Sequence, residues 1–174
     1  MLAVLFDVEG VLIDVSERLR RCSEEVGIPA TGKAPSDPSK RKMFWECFLS
    51  SKYLELDKPA ECNIKRALEL QRTFRLFLVT GAPRRIARHH ARILARYGLS
   101  FDLFYRKEGD RRPAHVFKAE VARKLIDEGY VIHSVYDDDE RVCQVMLRYA
   151  QRVFLVRGCD VRPFRAGLLK FLSS

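Results

Sequence analysis

Leu2-Ala3-Val4-Leu5-Phe6-Asp7-Val8-Glu9-Gly10-Val11-Leu12 is the stretch on which the reading of this chain turns. Leu2 to Phe6 is an unbroken apolar run, the pattern of a strand buried on both faces, and it stops at once in an acidic, glycine-containing loop. Phe74 to Val79, Val131 to Tyr136 and Arg152 to Val156 repeat the pattern, and Phe101 to Tyr105 predicts a fifth strand. Helical periodicity covers Pro83 to Tyr97, Pro113 to Glu128 and Asp139 to Ala150. Strands alternating with helices of this length require a parallel sheet with helices on both faces.

Val15 to Thr73 interrupts the alternation. It carries helical patterns at Val15 to Val26, Ser39 to Ser51 and Pro59 to Gln71, separated by turn-rich sequence from Ile28 to Pro38, and no convincing strand. The expected organisation is one domain over residues 1–174, with residues 15–73 as a small helical insertion within it.

Composition narrows the function classes. Of 174 residues, 47% are hydrophobic and 32% charged, the profile of a soluble globular protein, and no window approaches a membrane span. The N-terminal run lacks the basic flank and cleavage site of a signal peptide, so the expected location is cytoplasmic and no membrane partner is expected. The net charge of +9 favours an anionic partner. One Asn and three Gln beside many Arg and Glu point to a thermophilic source. The five cysteines are scattered, with no C-x-x-C pair, and predict mostly buried core thiols rather than a zinc site or a disulfide framework, with an intracellular disulfide left open by the thermophilic source.

In an open parallel sheet, ligands gather beyond the carboxyl ends of the strands. Asp7 and Glu9 fall there after the first strand, Thr80-Gly81 after the second, and Asp137-Asp138 after the Val131 to Tyr136 strand, with Lys118 on the helix between. Acidic loops after strands are individually commonplace; four features in this order form a constellation.

On those residues the chain resembles the haloacid dehalogenase superfamily, whose first motif has the form hhhD-x-[D/x]-G-[T/V]. The resemblance runs from residue 2 to about 156 and implies an α/β, Rossmann-type three-layer fold with a parallel sheet and a small helical insertion after the first strand. It also implies a Mg²⁺-dependent phosphomonoester hydrolase working through an aspartyl-phosphate. Asp7 would be the nucleophile, Glu9 the acid/base where most such phosphatases carry Asp, and Thr80, Gly81 and Lys118 the groups that meet the transferring phosphoryl. Asp7, the Glu9 position through its backbone carbonyl, Asp137 and Asp138 would hold the metal.

A narrower resemblance lies in Arg106-Lys107-Glu108-Gly109-Asp110-Arg111-Arg112 through Val116, Lys118 and Glu120. This is similar to the R-x-x-G-D-x-R-x-x-x-V-x-K-x-E stretch of the phosphatase domain of phage polynucleotide kinase/phosphatases, which removes 3′-phosphates from nucleic-acid ends. It implies that Arg106 and Arg112 contact substrate. Arg84 and Arg85 open a helix, where the dipole disfavours cations, so a nearby anion is their expected partner. The expected partner is therefore a phosphorylated substrate: a nucleic-acid end, a nucleotide or a small metabolite. A catalytically weak phosphate- or nucleic-acid-binding protein is the alternative from another class. His89 and His90 are read as structural, and the oligomeric state is unknown.

Overall fold

The computed structural model describes residues 1–30, 36–110 and 112–165. Arg111 and residues 31–35 of the turn-rich segment lie outside the described residues. The chain order is β1 (Leu2–Phe6), β2 (Ile13–Asp14), α1 (Ser16–Val26), α2 (Pro38–Phe48), a short 3-10 turn (Leu54–Leu56), β3 (Lys58–Pro59), α3 (Glu61–Leu70), β4 (Arg75–Pro83), α4 (Arg84–Arg96), β5 (Asp102–Arg106), α5 (Ala114–Asp127), β6 (Val131–Asp137), α6 (Glu140–Met146), β7 (Ala150–Arg157) and β8 (Asp160–Pro163).

Six strands form one sheet in the order β5-β4-β1-β6-β7-β8, parallel except for β8, which returns antiparallel to β7 at the edge. The period-two alternation of β1 divides the interior. Val4 and Phe6 enter one apolar cluster with Leu76, Leu78, Ile64, Ala67 and Leu94. Ala3 and Leu5 enter the other with Phe77, Val79, Val121, Leu125 and Val142. Helices α3 and α4 therefore cover one face and α5 and α6 the other, which makes the three-layer α/β arrangement expected from the sequence. Phe6, Tyr136 and Phe154 stack across three neighbouring strands with ring centroids 4.4 and 4.8 Å apart. Burying a side chain such as Leu78 or Leu94 contributes about 1.5–3 kcal/mol.

The interval between β1 and β4 is chiefly helical, as its sequence predicts. Helix α1 stops at Gly27, which takes the left-handed conformation (φ 67°) and donates its N–H to Glu24 O, while the Ile28 N–H donates to Ser23 O. Helix α2 starts on an Asp37 cap with Pro38 in the first turn.

Three expectations need correction. Lys58–Pro59 pairs antiparallel with Ile13–Asp14, so the insertion is tied to the Asp7 loop by a two-strand ladder too short to give an alternating pattern. The last helix ends at Met146 rather than Ala150, because Ala150 already pairs with Ile132 in the sheet. The third concerns the cysteines: Cys22 is bonded to Cys47 and Cys62 to Cys159, leaving Cys143 as the free, buried thiol. Packing of α1 on α2, and of α3 beside the β7–β8 turn, brings the Cα atoms to 5.7 and 5.8 Å. No local spacing encodes either pairing, since the partners stand 25 and 97 residues apart. Among the described residues no helix is long and apolar enough to cross a membrane.

Candidate active site

Strand register assembles the site. Phe6 pairs with Leu78 of β4 on one side and Tyr136 of β6 on the other, so the residues just beyond, Asp7, Thr80 and Asp137, arrive together at one end of the sheet. Lys118 reaches them from α5. It shares that helix's inward face with Val121, Ala122 and Leu125 at helical spacing, and apolar burial of the helix thereby drives a lysine into the interior.

The loop after β1 closes tightly. Val8 O accepts from the N–H groups of Leu12 and Ile13 at 2.9 Å each, and the Gly10 N–H donates to Ile13 O at 2.8 Å. Gly10 has φ 83°, and a Cβ there would collide with the Asp138 carboxylate. The glycine is therefore demanded twice, by backbone conformation and by the carboxylate that occupies the vacated space.

Lys118 Nζ lies 2.8 Å from Asp7 Oδ2 and 2.6 Å from Asp137 Oδ2, with all three side chains buried. Asp7, Asp137 and Asp138 each place a carboxylate oxygen within 4.8 Å of the others'. Burial raises the carboxyl pKa of all three, and neighbouring carboxylates add to it while Lys118 opposes it. Asp7 and Asp137 are pushed up to about 7 and Asp138 to about 6. Burial works against the Lys118 ammonium, but Asp137 and Asp7 outweigh it and keep it protonated. Three carboxylates thus face a single ammonium. A compact set of hard oxygen donors in charge excess fits a divalent cation such as Mg²⁺.

Glu9 turns away from this cluster. Its Oε2 accepts from the Thr80 hydroxyl, whose oxygen in turn accepts from the Ala82 N–H at 2.9 Å. Its Oε1 lies 2.8 Å from His90 Nδ1. Burial would raise the Glu9 carboxyl, yet the hydrogen bond and charge of His90 hold it below the usual range.

The remaining predicted residues line one cleft of about 1000 Å³ or lie beside it. Gly81 forms part of its wall, and Arg106 Nε donates to Gly81 O at 2.6 Å while its Nη1 donates to Arg112 O. Arg112 lines the cleft with its guanidinium paired to Asp110 at 2.8 Å and also to Glu120. Side-chain and backbone hydrogen bonds from Arg112 hold Asp110 down at about 2. Arg84 is exposed at the start of α4, and Arg85 is the member of that pair on the cleft wall. Asp139 caps α6 through the Arg141 N–H.

Sequence reasoning missed two participants. His90 is fully buried and bridges Glu9 to Asp57, with Nε2 at 2.7 Å from Asp57 Oδ2. Its signal was available: Ile86, His90 and Leu94 share one face of α4, and a histidine within an apolar stripe must satisfy both ring nitrogens. Asn63, also buried, donates from Nδ2 to Val11 O and Gly158 O at 2.8 Å each, tying the Asp7 loop to the sheet edge.

No protein-family model matches the chain, and no curated protein does. Solved structures do. A chain of a Pnkp1/Rnl/Hen1 complex is similar with a TM-score of 0.62 and 20% identity, over 91% of this chain and 47% of that one. A chain of the Pnkp1/Rnl/Hen1 RNA repair complex gives 0.63 and 18%, over 89% and 42%. This chain therefore spans less than half the length of either. A haloacid dehalogenase-like hydrolase from Streptococcus pneumoniae gives 0.61 and 17%, over 84% and 80%. The fold is that of the haloacid dehalogenase-like hydrolases.

Proposed function

We propose that the chain is a Mg²⁺-dependent phosphomonoester hydrolase acting through an Asp7 phosphoenzyme, with nucleic-acid ends, 3′-phosphates foremost, as its substrates. The observation that carries the chemistry is the convergence of Asp7, Lys118, Asp137 and Asp138 at the carboxyl end of the sheet.

Asp7 attacks phosphorus, forming a P–O bond as the bond to the leaving oxygen breaks, and Glu9 gives that oxygen its proton. A phosphate dianion bound beside Glu9 raises the proton affinity of its carboxyl, so the substrate itself loads the acid. Glu9 then takes a proton from water, and the water oxygen attacks phosphorus, releasing inorganic phosphate and freeing Asp7. Lys118 fixes the nucleophile and offsets the charge gathering between the two anions. Mg²⁺ held by Asp7, Asp137, Asp138 and the Glu9 carbonyl would supply the charge that lets a carboxylate approach a phosphate dianion. Gly81, Arg85, Arg106 and Arg112 line the cleft where the phosphate would bind, and Arg84 is exposed next to Arg85 at the start of α4.

Three observations support the substrate class. The cleft is wide; Lys42, Arg85 and Arg106 set positive charge around it; and Trp45 on α2, 44% exposed, lines it with an aromatic face on which a base can stack. The likeness to chains of an RNA repair complex agrees.

The test is phosphate release with Mg²⁺ from p-nitrophenyl phosphate, 3′-phosphorylated oligonucleotides and a panel of small phosphorylated metabolites, beside Asp7→Asn. Asp7-dependent release with oligonucleotides preferred is expected. Preference for metabolites by orders of magnitude would replace the substrate class, and salt-sensitive oligonucleotide retention without turnover would make the chain a binding protein.

A further inference from the structure

We propose that His90 is a positioning residue for Glu9, held in place by Asp57 and Arg18 of the helical insertion; this rests on the phosphohydrolase reading above. Glu9 carries one methylene more than the aspartate usual at its position, and its carboxylate needs a fixed place if proton transfer is to be efficient. The structure provides one. Thr80 takes Oε2, and His90 Nδ1 takes Oε1 at 2.8 Å.

His90 is itself anchored. Its Nε2 lies 2.7 Å from Asp57 Oδ2, and Asp57 Oδ1 lies 3.0 Å from Arg18 Nε, an ion pair by distance whose angle falls outside hydrogen-bond geometry. Arg18 Nη1 donates to Phe48 O at 2.9 Å, and its guanidinium lies 4.2 Å over the Phe48 ring. The chain Glu9–His90–Asp57–Arg18–Phe48 thus links Glu9 to the helical insertion. Arg18, Asp57 and His90 have side chains no more than 1% exposed, whereas the Glu9 side chain keeps 14%. Two carboxylates, a guanidinium and an imidazole can balance in charge, with each ring nitrogen facing one carboxylate.

A core in need of stability alone has a simpler solution. Well-packed apolar residues of similar volume commonly equal or exceed a buried ionic network in stability. What the network supplies is orientation, and its exposed end is the acid/base carboxylate. The insertion accordingly contributes to proton transfer through this network, as well as forming the cleft wall with Trp45 and Phe48.

The experiment compares wild type with His90→Phe, His90→Asn and His90→Gln on p-nitrophenyl phosphate and on an alkyl phosphomonoester. The nitrophenolate departs without a proton; the alkoxide does not. Asn places its amide near Nδ1 and can still donate to Glu9, whereas Gln reaches the Nε2 position and keeps only the Asp57 contact. The expected loss in kcat on the alkyl ester is about 100-fold for His90→Phe and His90→Gln, with partial rescue in His90→Asn and KM changed by less than about threefold. On p-nitrophenyl phosphate the same variants should release a burst of about one nitrophenolate per site and then turn over slowly, since water activation also depends on Glu9.

Equal losses on both esters without a burst, in variants whose melting temperatures match wild type, would overturn the positioning role and leave the phosphohydrolase reading intact. Should one His90 variant fail to fold, Asp57→Asn removes the anchor one step away and is read by the same alkyl-ester loss and nitrophenolate burst. A wild type inactive on both esters, indistinguishable from Asp7→Asn, would overturn both readings together.

Discussion

Gly10→Ala places a methyl group where the Asp138 carboxylate sits. The backbone at Gly10 has φ 83°, so an alanine there carries left-handed strain of about 1–2 kcal/mol. The added Cβ would overlap Asp138 Oδ2 and lie 2.8 Å from its Cγ, and overpacking of this kind costs about 1–3 kcal/mol. Together these give about 2–5 kcal/mol, or a fall of about 4–20 °C in melting temperature for a chain of this size. Asp138 can escape only by swinging its carboxylate out of the three-carboxylate cluster, and then metal binding is lost in place of stability. The two contributions separate in a cycle of wild type, Gly10→Ala, Asp138→Ala and the double variant, unfolded in chelator and melted with and without Mg²⁺. With Asp138 shortened, Gly10→Ala should cost only the backbone strain, giving a coupling of about 1–3 kcal/mol. Melting temperatures should rise with Mg²⁺ in wild type alone. Costs that add to within about 0.5 kcal/mol, with Gly10→Ala keeping the wild-type Mg²⁺ response, would refute the claim that this glycine makes room for a metal-binding carboxylate.

Mg²⁺ should bind with a pronounced pH dependence. With Asp7 and Asp137 raised from 3.8 to about 7 and Asp138 to about 6, the folded, metal-free protein holds more protons than the unfolded chain between about pH 4 and 7. Its stability therefore falls as pH rises through that window, added Mg²⁺ restores it at pH 8, and Mg²⁺ affinity in calorimetry climbs at least about tenfold per pH unit up to about pH 7; a flat profile would contradict the charge excess. Lys118→Met removes the one ammonium facing Asp7 and Asp137 and should cost about 3–5 kcal/mol at pH 8 in chelator, measured by denaturant unfolding. The disulfides can be checked by thiol titration, which should find one reactive group per denatured, unreduced chain, Cys143. Removing Cys62–Cys159, 97 residues apart, should lower stability by up to about 4.7 kcal/mol, and Cys22–Cys47, 25 apart, by up to about 3.5.

Local sequence carried the strands because a parallel strand buried on both faces is chiefly apolar: β1 and the Leu76–Val79 stretch of β4 are unbroken apolar runs, and β6 and β7 keep apolar cores at Val135–Tyr136 and Val153–Val156. The same rule delivered Asp7, Thr80 and Asp137, since the first polar residues after such runs stand at the carboxyl end of the sheet, and the order of the chain was enough to group them. Lys118, one of two lysines on α5, was singled out by the superfamily resemblance.

Whatever depends on which surfaces meet was decided by tertiary structure. Glu9 faces Thr80 and His90 rather than the metal cluster because α4 packs its Ile86, His90 and Leu94 stripe against the sheet beside the loop. His90, read from sequence as a structural histidine, acquires partners only when Asp57 and Arg18 arrive from the insertion. The disulfides are of the same kind, joining residues that no local pattern relates. Apolar periodicity is a property of a segment and survives in the sequence. Pairings between charged, polar or thiol groups on different segments are properties of the packed chain, fixed by helix docking and strand register; a buried position such as that of His90 shows locally that partners are needed, but not which ones.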